Sequence, residues 1–199
     1  MRKILLTGFE PFLAYSENPT GPIVTNLHDE IINDYRVIGK VLPVEFVKAG
    51  EKITALIKEH EPDIVVSLGI AGSRSKISPE RIAINCMSGA KDNEGYKPEN
   101  EKIVEAGSDG LFTSLPIVEM VEHLKENQLP AEISNTAGTY VCNNVMYHSL
   151  HYIQEHNLQV KSGFIHLPIS HNLAVEGAAG PSWSLSDLQK AVELCLKCL

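Results

Sequence analysis

The chain has no surplus of positive charge, few cysteines and no long apolar run, and each scarcity removes a class of protein. With 17 Lys and Arg against 25 Asp and Glu, the formal net charge of -8 argues against a nucleic-acid groove or an anionic membrane surface as the main partner. The apolar stretches are too short to span a bilayer. The N-terminus enters a strand pattern directly, without the order of basic, apolar and small residues that marks a signal peptide, so a cytoplasmic protein is expected. The 4 cysteines, Cys86, Cys142, Cys195 and Cys198, are spaced neither like a zinc ribbon nor like a secreted disulfide framework. No phosphate-binding or metal-ligand spacing is present, and neither a cofactor nor a metal is expected. What is left is a chain of 199 residues, 43% hydrophobic, able to bury one substantial core, and read as a single domain over 1–199. A small neutral or peptide-like ligand suits its charge.

The apolar runs Lys3 to Thr7, Asp63 to Leu68 and Gly163 to Leu167 read as buried strands, the first two closed by Gly8 and Gly69. Arg36 to Leu42 and Arg81 to Cys86 are further strand candidates. Helical periodicity covers Pro22 to Ile32, Phe46 to His60, Ser114 to Asn127, Tyr140 to His156 and Ser184 to Leu199. Ser184 and Asp187 stand at capping-box spacing at the start of the last of these. Its Cys195 and Cys198 read as packing residues. Strands alternating with helices predict an α/β fold, an open αβα sandwich around a mostly parallel twisted sheet. The polar, glycine-containing stretch from Ser88 to Gly110 is long for an irregular connection and reads equally as a lid, a subunit contact or a surface hairpin.

Cys142 follows a turn rich in small polar residues and opens a predicted helix. Unpaired N–H groups and the helix dipole at such a position push a thiol toward thiolate and can hold an oxyanion. A packing role is the ordinary fate of a free cysteine. A nucleophile needs a base, and the base an orienting acceptor. His166, at the carboxyl end of the predicted strand GFIHL, is the best-placed base, with His171 as competitor. His28, His60, His123, His148, His151 and His156 fall on helices and face solvent or packing. Glu80 stands between Pro79 and the apolar run RIAIN, where a carboxylate must be paired; the residues alone favour an ion pair with Arg81.

The runs TGFEPF with Asn18-Pro19, LGIAGSR, SPERIAIN, DNEG, SNTAGTYVCN and GFIHLP occur in the order, and over the length, that resembles the pyroglutamyl peptidase I family. The resemblance implies a cysteine omega peptidase that removes N-terminal pyroglutamate (5-oxoproline) from peptides through an acyl-thioester. It implies a Glu80, Cys142 and His166 triad, substrate contacts at Phe9, Phe12, Asn18, Tyr140 and Val141, no metal, and a homo-oligomer, tetramer or dimer. A flat uncharged lactam suits aromatic faces and a few amide hydrogen bonds. The chain departs from the family in reading CMSGAKDN where members typically read DARIPDN, which puts Lys91 in question as a substitute for an arginine of the oxyanion site. Ile70 replaces a frequent glutamine, and HLP replaces HVP. The rival readings are a cysteine amidohydrolase of another amide, distinguished by a substrate panel, and a silent α/β binding protein, distinguished by an inert Cys142 thiol.

Overall fold

The structure is a computed structural model and describes residues 1–12 and 15–199. Its main sheet is built on the three apolar runs: β1 (Arg2–Phe9), β4 (Ile64–Ile70) and β8 (Lys161–Leu167), joined by β3 (Tyr35–Leu42), all parallel. Short antiparallel strands close both edges, β2 (Ile31–Ile32) on β3 and β5 (Ser78–Pro79) on β8, giving the order β2-β3-β1-β4-β8-β5.

Because side chains alternate along a strand, the apolar runs feed two cores. Ile4, Leu6, Ile64, Val66, Leu68, Ile165 and Leu167 face one side, where α1 (Thr20–Asn26), α3 (Ile117–Glu126) and α6 (Leu185–Leu196) cover them. Leu5, Val65 and Phe164 face the other, under α2 (Phe46–His60) and α4 (Val141–Glu155). The αβα layering expected from the alternating pattern is therefore the observed one. The α2 helix forms over its predicted residues because Phe46, Ala49, Gly50, Ile53, Leu56 and Ile57 make one buried stripe, and it stops at Glu61 in the left-handed conformation (φ 44°). The Ser184 hydroxyl accepts from the Asp187 N–H at 3.1 Å, the predicted start of α6.

Some expectations fail for local reasons. The predicted helix Pro22 to Ile32 ends at Asn26, the chain turns through Asp29 at φ 69°, and the last two of those residues pair as β2. Of Arg81 to Cys86 only β6 (Ile82–Ile84) is strand; it pairs with β7 (Gly110–Phe112) in a small separate sheet. Near the C-terminus the chain adds β9 (Ile169–Ser170), the short α5 (His171–Val175) and β10 (Ser182–Trp183). Cys195 is buried and Cys198 partly so, each packed with the α3 and α6 side of the core.

Candidate active site

The carboxyl ends of β1, β4 and β8 and the first turn of α4 converge on one place. Tyr140 precedes the helix in extended conformation (φ -90°, ψ -169°), which turns the chain so that Cys142 lies in the first turn. The helix start is clamped by Asn143, fully buried, whose amide nitrogen donates to the carbonyls of Ile84 (2.9 Å) and Cys86 (3.0 Å) while its oxygen accepts from the Ile84 N–H (2.9 Å). Gly69 and His166 are register partners across β4 and β8, so they present to the same face, the α4 face. A Cβ on Gly69 would stand 2.8 Å from the Cys142 Sγ. The sulfur thus occupies the space of the missing side chain, in the row that carries the imidazole.

His166 is buried beside the Phe164 ring, 4.8 Å between centroids, and its Nδ1 donates to Glu80 Oε1 at 2.6 Å. This leaves Nε2 as the free ring nitrogen. Burial holds His166 below its ordinary value, against the upward pull of the hydrogen bond and charge of Glu80; Arg74 adds to the lowering. The imidazole is therefore neutral near pH 7. Burial, followed by the Glu80 charge, pushes the Cys142 thiol up to about 12, with Arg74 and the backbone N–H of Cys142 itself pulling the other way. The helix terminus does not outweigh these effects, and the resting pair is thiol and neutral imidazole, not the thiolate expected from position alone.

Glu80 is fully buried, and its partners are not the expected one. Arg81 turns to Asn135 (2.7 Å), while Glu80 Oε1 accepts from Arg74 Nη1 at 2.6 Å as well as from His166. Sequence reasoning missed Arg74; its signal was a cation in the glycine-containing loop after β4, six residues before a carboxylate that had to be paired. His171 lies apart, exposed, with Nδ1 at 2.9 Å from the Ser182 hydroxyl.

Beside the thiol opens an apolar pocket holding about 400 Å³ of empty space, its mouth included, lined by Phe9, Phe12, Asn18, Val44, Ile70, Tyr140, Val141 and Cys142. All five side chains anticipated as substrate contacts line it. The Phe12 ring meets the edge of Tyr140 at 5.3 Å, and Tyr140 meets Phe46 at 5.0 Å. Asn18 is committed internally: its oxygen accepts from the Thr20 N–H (3.2 Å) and hydroxyl (2.8 Å), and its nitrogen donates to the Glu10 carbonyl (3.2 Å). It shapes the wall with its polar atoms already paired. Lys91 is exposed, and its backbone carbonyl accepts from the Tyr140 hydroxyl at 3.0 Å.

A buried carboxylate and imidazole beside a half-buried thiol, at the carboxyl edge of a parallel sheet, are the arrangement of a thiol hydrolase on an α/β sandwich. The same architecture is found in solved structures of pyroglutamyl peptidase I from Bacillus amyloliquefaciens (TM-score 0.95, 35% identity, covering 100% of this chain and 96% of that one) and of pyrrolidone carboxyl peptidase from Thermococcus litoralis (TM-score 0.94, 38% identity, 100% and 93%). A pyrrolidone-carboxylate peptidase from Oceanobacillus iheyensis is 52% identical over 199 residues, the full length of both chains. The chain belongs to the pyroglutamyl peptidase family, whose model matches residues 2–199.

Proposed function

We propose that this protein is a cysteine peptidase that hydrolyses the amide bond after an N-terminal pyroglutamyl residue, with Cys142 as nucleophile, His166 as base and Glu80 as the group that orients it. The observation that carries this reading is the seat of the Cys142 sulfur over Gly69, in the row of the Glu80-bound imidazole and at the mouth of an apolar pocket. Membership of the family supports the substrate.

The pocket suits the lactam. An ordinary peptide N-terminus brings an ammonium, which needs carboxylates; the rings of Phe9, Phe12 and Tyr140 with Val44, Ile70 and Val141 offer a flat neutral ring apolar surface. Burial first, then the charges of Asp92 and Cys142, raise Tyr140 to about 12, so its hydroxyl stays a donor to the Lys91 carbonyl and fixes the ring at the wall.

With thiol and imidazole both neutral, the proton leaves sulfur as sulfur attacks. His166 Nε2 takes it, and the carbonyl oxygen gathers charge against the unpaired N–H groups of the first turn of α4. Glu80 stabilises the imidazolium that forms. His166 then returns the proton to the departing amine, leaving an acyl-thioester. Water, deprotonated by the same imidazole, attacks this ester; the proton passes to sulfur and free 5-oxoproline leaves.

The free thiols fit a reducing compartment, and we place the protein in the cytoplasm. We take the chain as one domain, and as a homo-oligomer, a dimer or tetramer; the exposed apolar side chains of Phe112, Ile84 and Leu158 support an assembly. Among the described residues no helix is long and apolar enough to cross a membrane.

Release of a reporter amine from a pyroglutamyl amide, beside the prolyl and glutaminyl amides, tests the reading. Turnover should be selective for the pyroglutamyl compound, vanish in Cys142→Ala and fall at least about a thousandfold in His166→Ala. Near-normal turnover in either variant rejects the triad; preference for another amide rejects the substrate.

A further inference from the structure

We propose that Arg74 is a positioning residue of this hydrolysis: it clasps the Glu80 carboxylate and the turn that leads into Cys142, and its charge opposes the pull of Glu80 on a proton at the His166 imidazole. The inference rests on the triad proposed above and adds to it a group that touches neither substrate nor sulfur.

The geometry is unlike that of an arginine recruited only for an ion pair. Such pairs favour two parallel bonds between guanidinium and carboxylate. Here the fork is divided: Nη1 donates to Glu80 Oε1 at 2.6 Å, and Nη2 donates to the Thr136 carbonyl at 2.8 Å. His166 Nδ1 donates to the same Oε1, and Glu80 Oε2, fully buried, has no hydrogen-bond partner among the described residues. A buried carboxylate normally satisfies both oxygens; here one is forgone while the arginine spans to the segment that carries the nucleophile. The loop is shaped for this reach, with the Arg74 N–H donating to the Ala71 carbonyl at 2.9 Å directly after β4. The charge has a second effect. The ionisable groups that act on the imidazole are Glu80 beside β5 and Arg74 from the loop after β4, and the same two charges act on Cys142 from α4; the adjoining Phe164 ring is neutral. Burial is the main influence that holds the imidazole neutral, and Arg74 adds to it by opposing the pull of the buried Glu80 anion on a proton.

The test uses Arg74→Met and Arg74→Lys, with kcat, KM and the pH profile of kcat/KM on the pyroglutamyl amide, and a ring-nitrogen NMR titration of His166 in the inactive Cys142→Ala background. Arg74→Met should lower kcat at least about tenfold, leave KM within about twofold, and move the acid limb up by about one pH unit, with the NMR titration moving alike. Arg74→Lys should keep the limb near its wild-type position, because the charge remains, yet retain a reduced kcat, because an ammonium lacks the planar fork that spans two acceptors. A folded Arg74→Met protein with an unmoved limb and titration overturns the charge role. Wild-type kcat in either variant overturns the clasp. Should Arg74→Met not fold, Arg74→Lys decides: a depressed kcat at an unshifted limb upholds the inference, and a shifted limb rejects it. Turnover surviving in Cys142→Ala would instead reject the triad itself, a result distinct from failure of Arg74 alone.

Discussion

Gly69 is needed for what it lacks. Its backbone is that of an ordinary strand, paired in register with His166, and no positive φ calls for glycine there. Space calls for it: a Cβ would meet both the Cys142 Sγ and the Phe164 Cζ at 2.8 Å, closer than real contacts allow. Gly69→Ala must therefore push the thiol away from the imidazole row or tilt the Phe164 ring on which His166 leans. Because a misplacement near 1 Å costs on the order of a hundredfold in rate, kcat should fall between about tenfold and a hundredfold. KM should change little, since Gly69 is not among the residues lining the pocket. Steady-state kinetics beside a thermal melt check this; full kcat in a folded variant would mean that the sulfur is not seated on Gly69. The glycine was legible as the end of a strand but its purpose was not, because nothing in LGIAG says which side chain from a distant helix fills the gap. The same limit hid Arg74: local spacing offers Arg81 to Glu80, and only the fold shows Arg81 turned to Asn135.

At the scale of elements, regular helices and the long parallel strands could be read because each buries a periodic stripe. The edge strands could not: β2 and β5 are two residues each, held by neighbours instead of by any pattern of their own. The segment from Ser88 to Gly110 has no periodicity for another reason, namely that two buried polar side chains organise it, Asn85 just before it and Asp92 inside it. Asn85 accepts from the N–H groups of Ile103 (2.8 Å) and Val104 (2.9 Å) and donates to the Val104 carbonyl (2.7 Å). Asp92, 4% exposed, accepts from the N–H of Glu94 (3.1 Å) and Tyr96 (2.9 Å) with one oxygen and from the Phe46 N–H (3.0 Å) with the other. That last bond caps α2 from outside, where Glu45 supplies no side-chain cap. Asp92 therefore joins the loop to the helix whose Phe46 ring supports Tyr140 at the pocket. Asp92→Ala should lower stability by about 1–3 kcal/mol, the cost of stranding buried N–H groups, and raise KM more than it lowers kcat, because it loosens the pocket wall and leaves the triad in place. A thermal melt with steady-state kinetics checks both effects; an unchanged KM would detach the loop from substrate binding.

Across the whole molecule, α2 and α4 form one layer, and they meet where the Cδ2 and Nε2 side of the His148 ring lies against Gly50. A glycine inside α2 costs about 1 kcal/mol of helix propensity, and the close approach of the ring explains its place there. Burial, assisted by the charge of His151, lowers His148 from 6.5 to about 4. The sign follows from the two states. The unfolded chain takes up a proton at this residue near pH 6.5, whereas the folded chain resists until about 4, so the stabilisation is complete above pH 6.5 and is lost as pH falls toward 4. With the ring partly exposed, the loss is about 2–3 kcal/mol, or several degrees in Tm for a chain of this length. In His148→Leu, which keeps the packing and removes the titration, the fall of Tm over that range should be visibly shallower than in the wild type; parallel curves would show that His148 takes its proton without leaving the interface. The helix that would be loosened is the one whose first turn carries Cys142. Acid should then weaken the enzyme in two separable ways: reversibly, through protonation of His166 in the folded protein, and through unfolding, which His148→Leu would reduce while leaving the acid limb of kcat/KM in place.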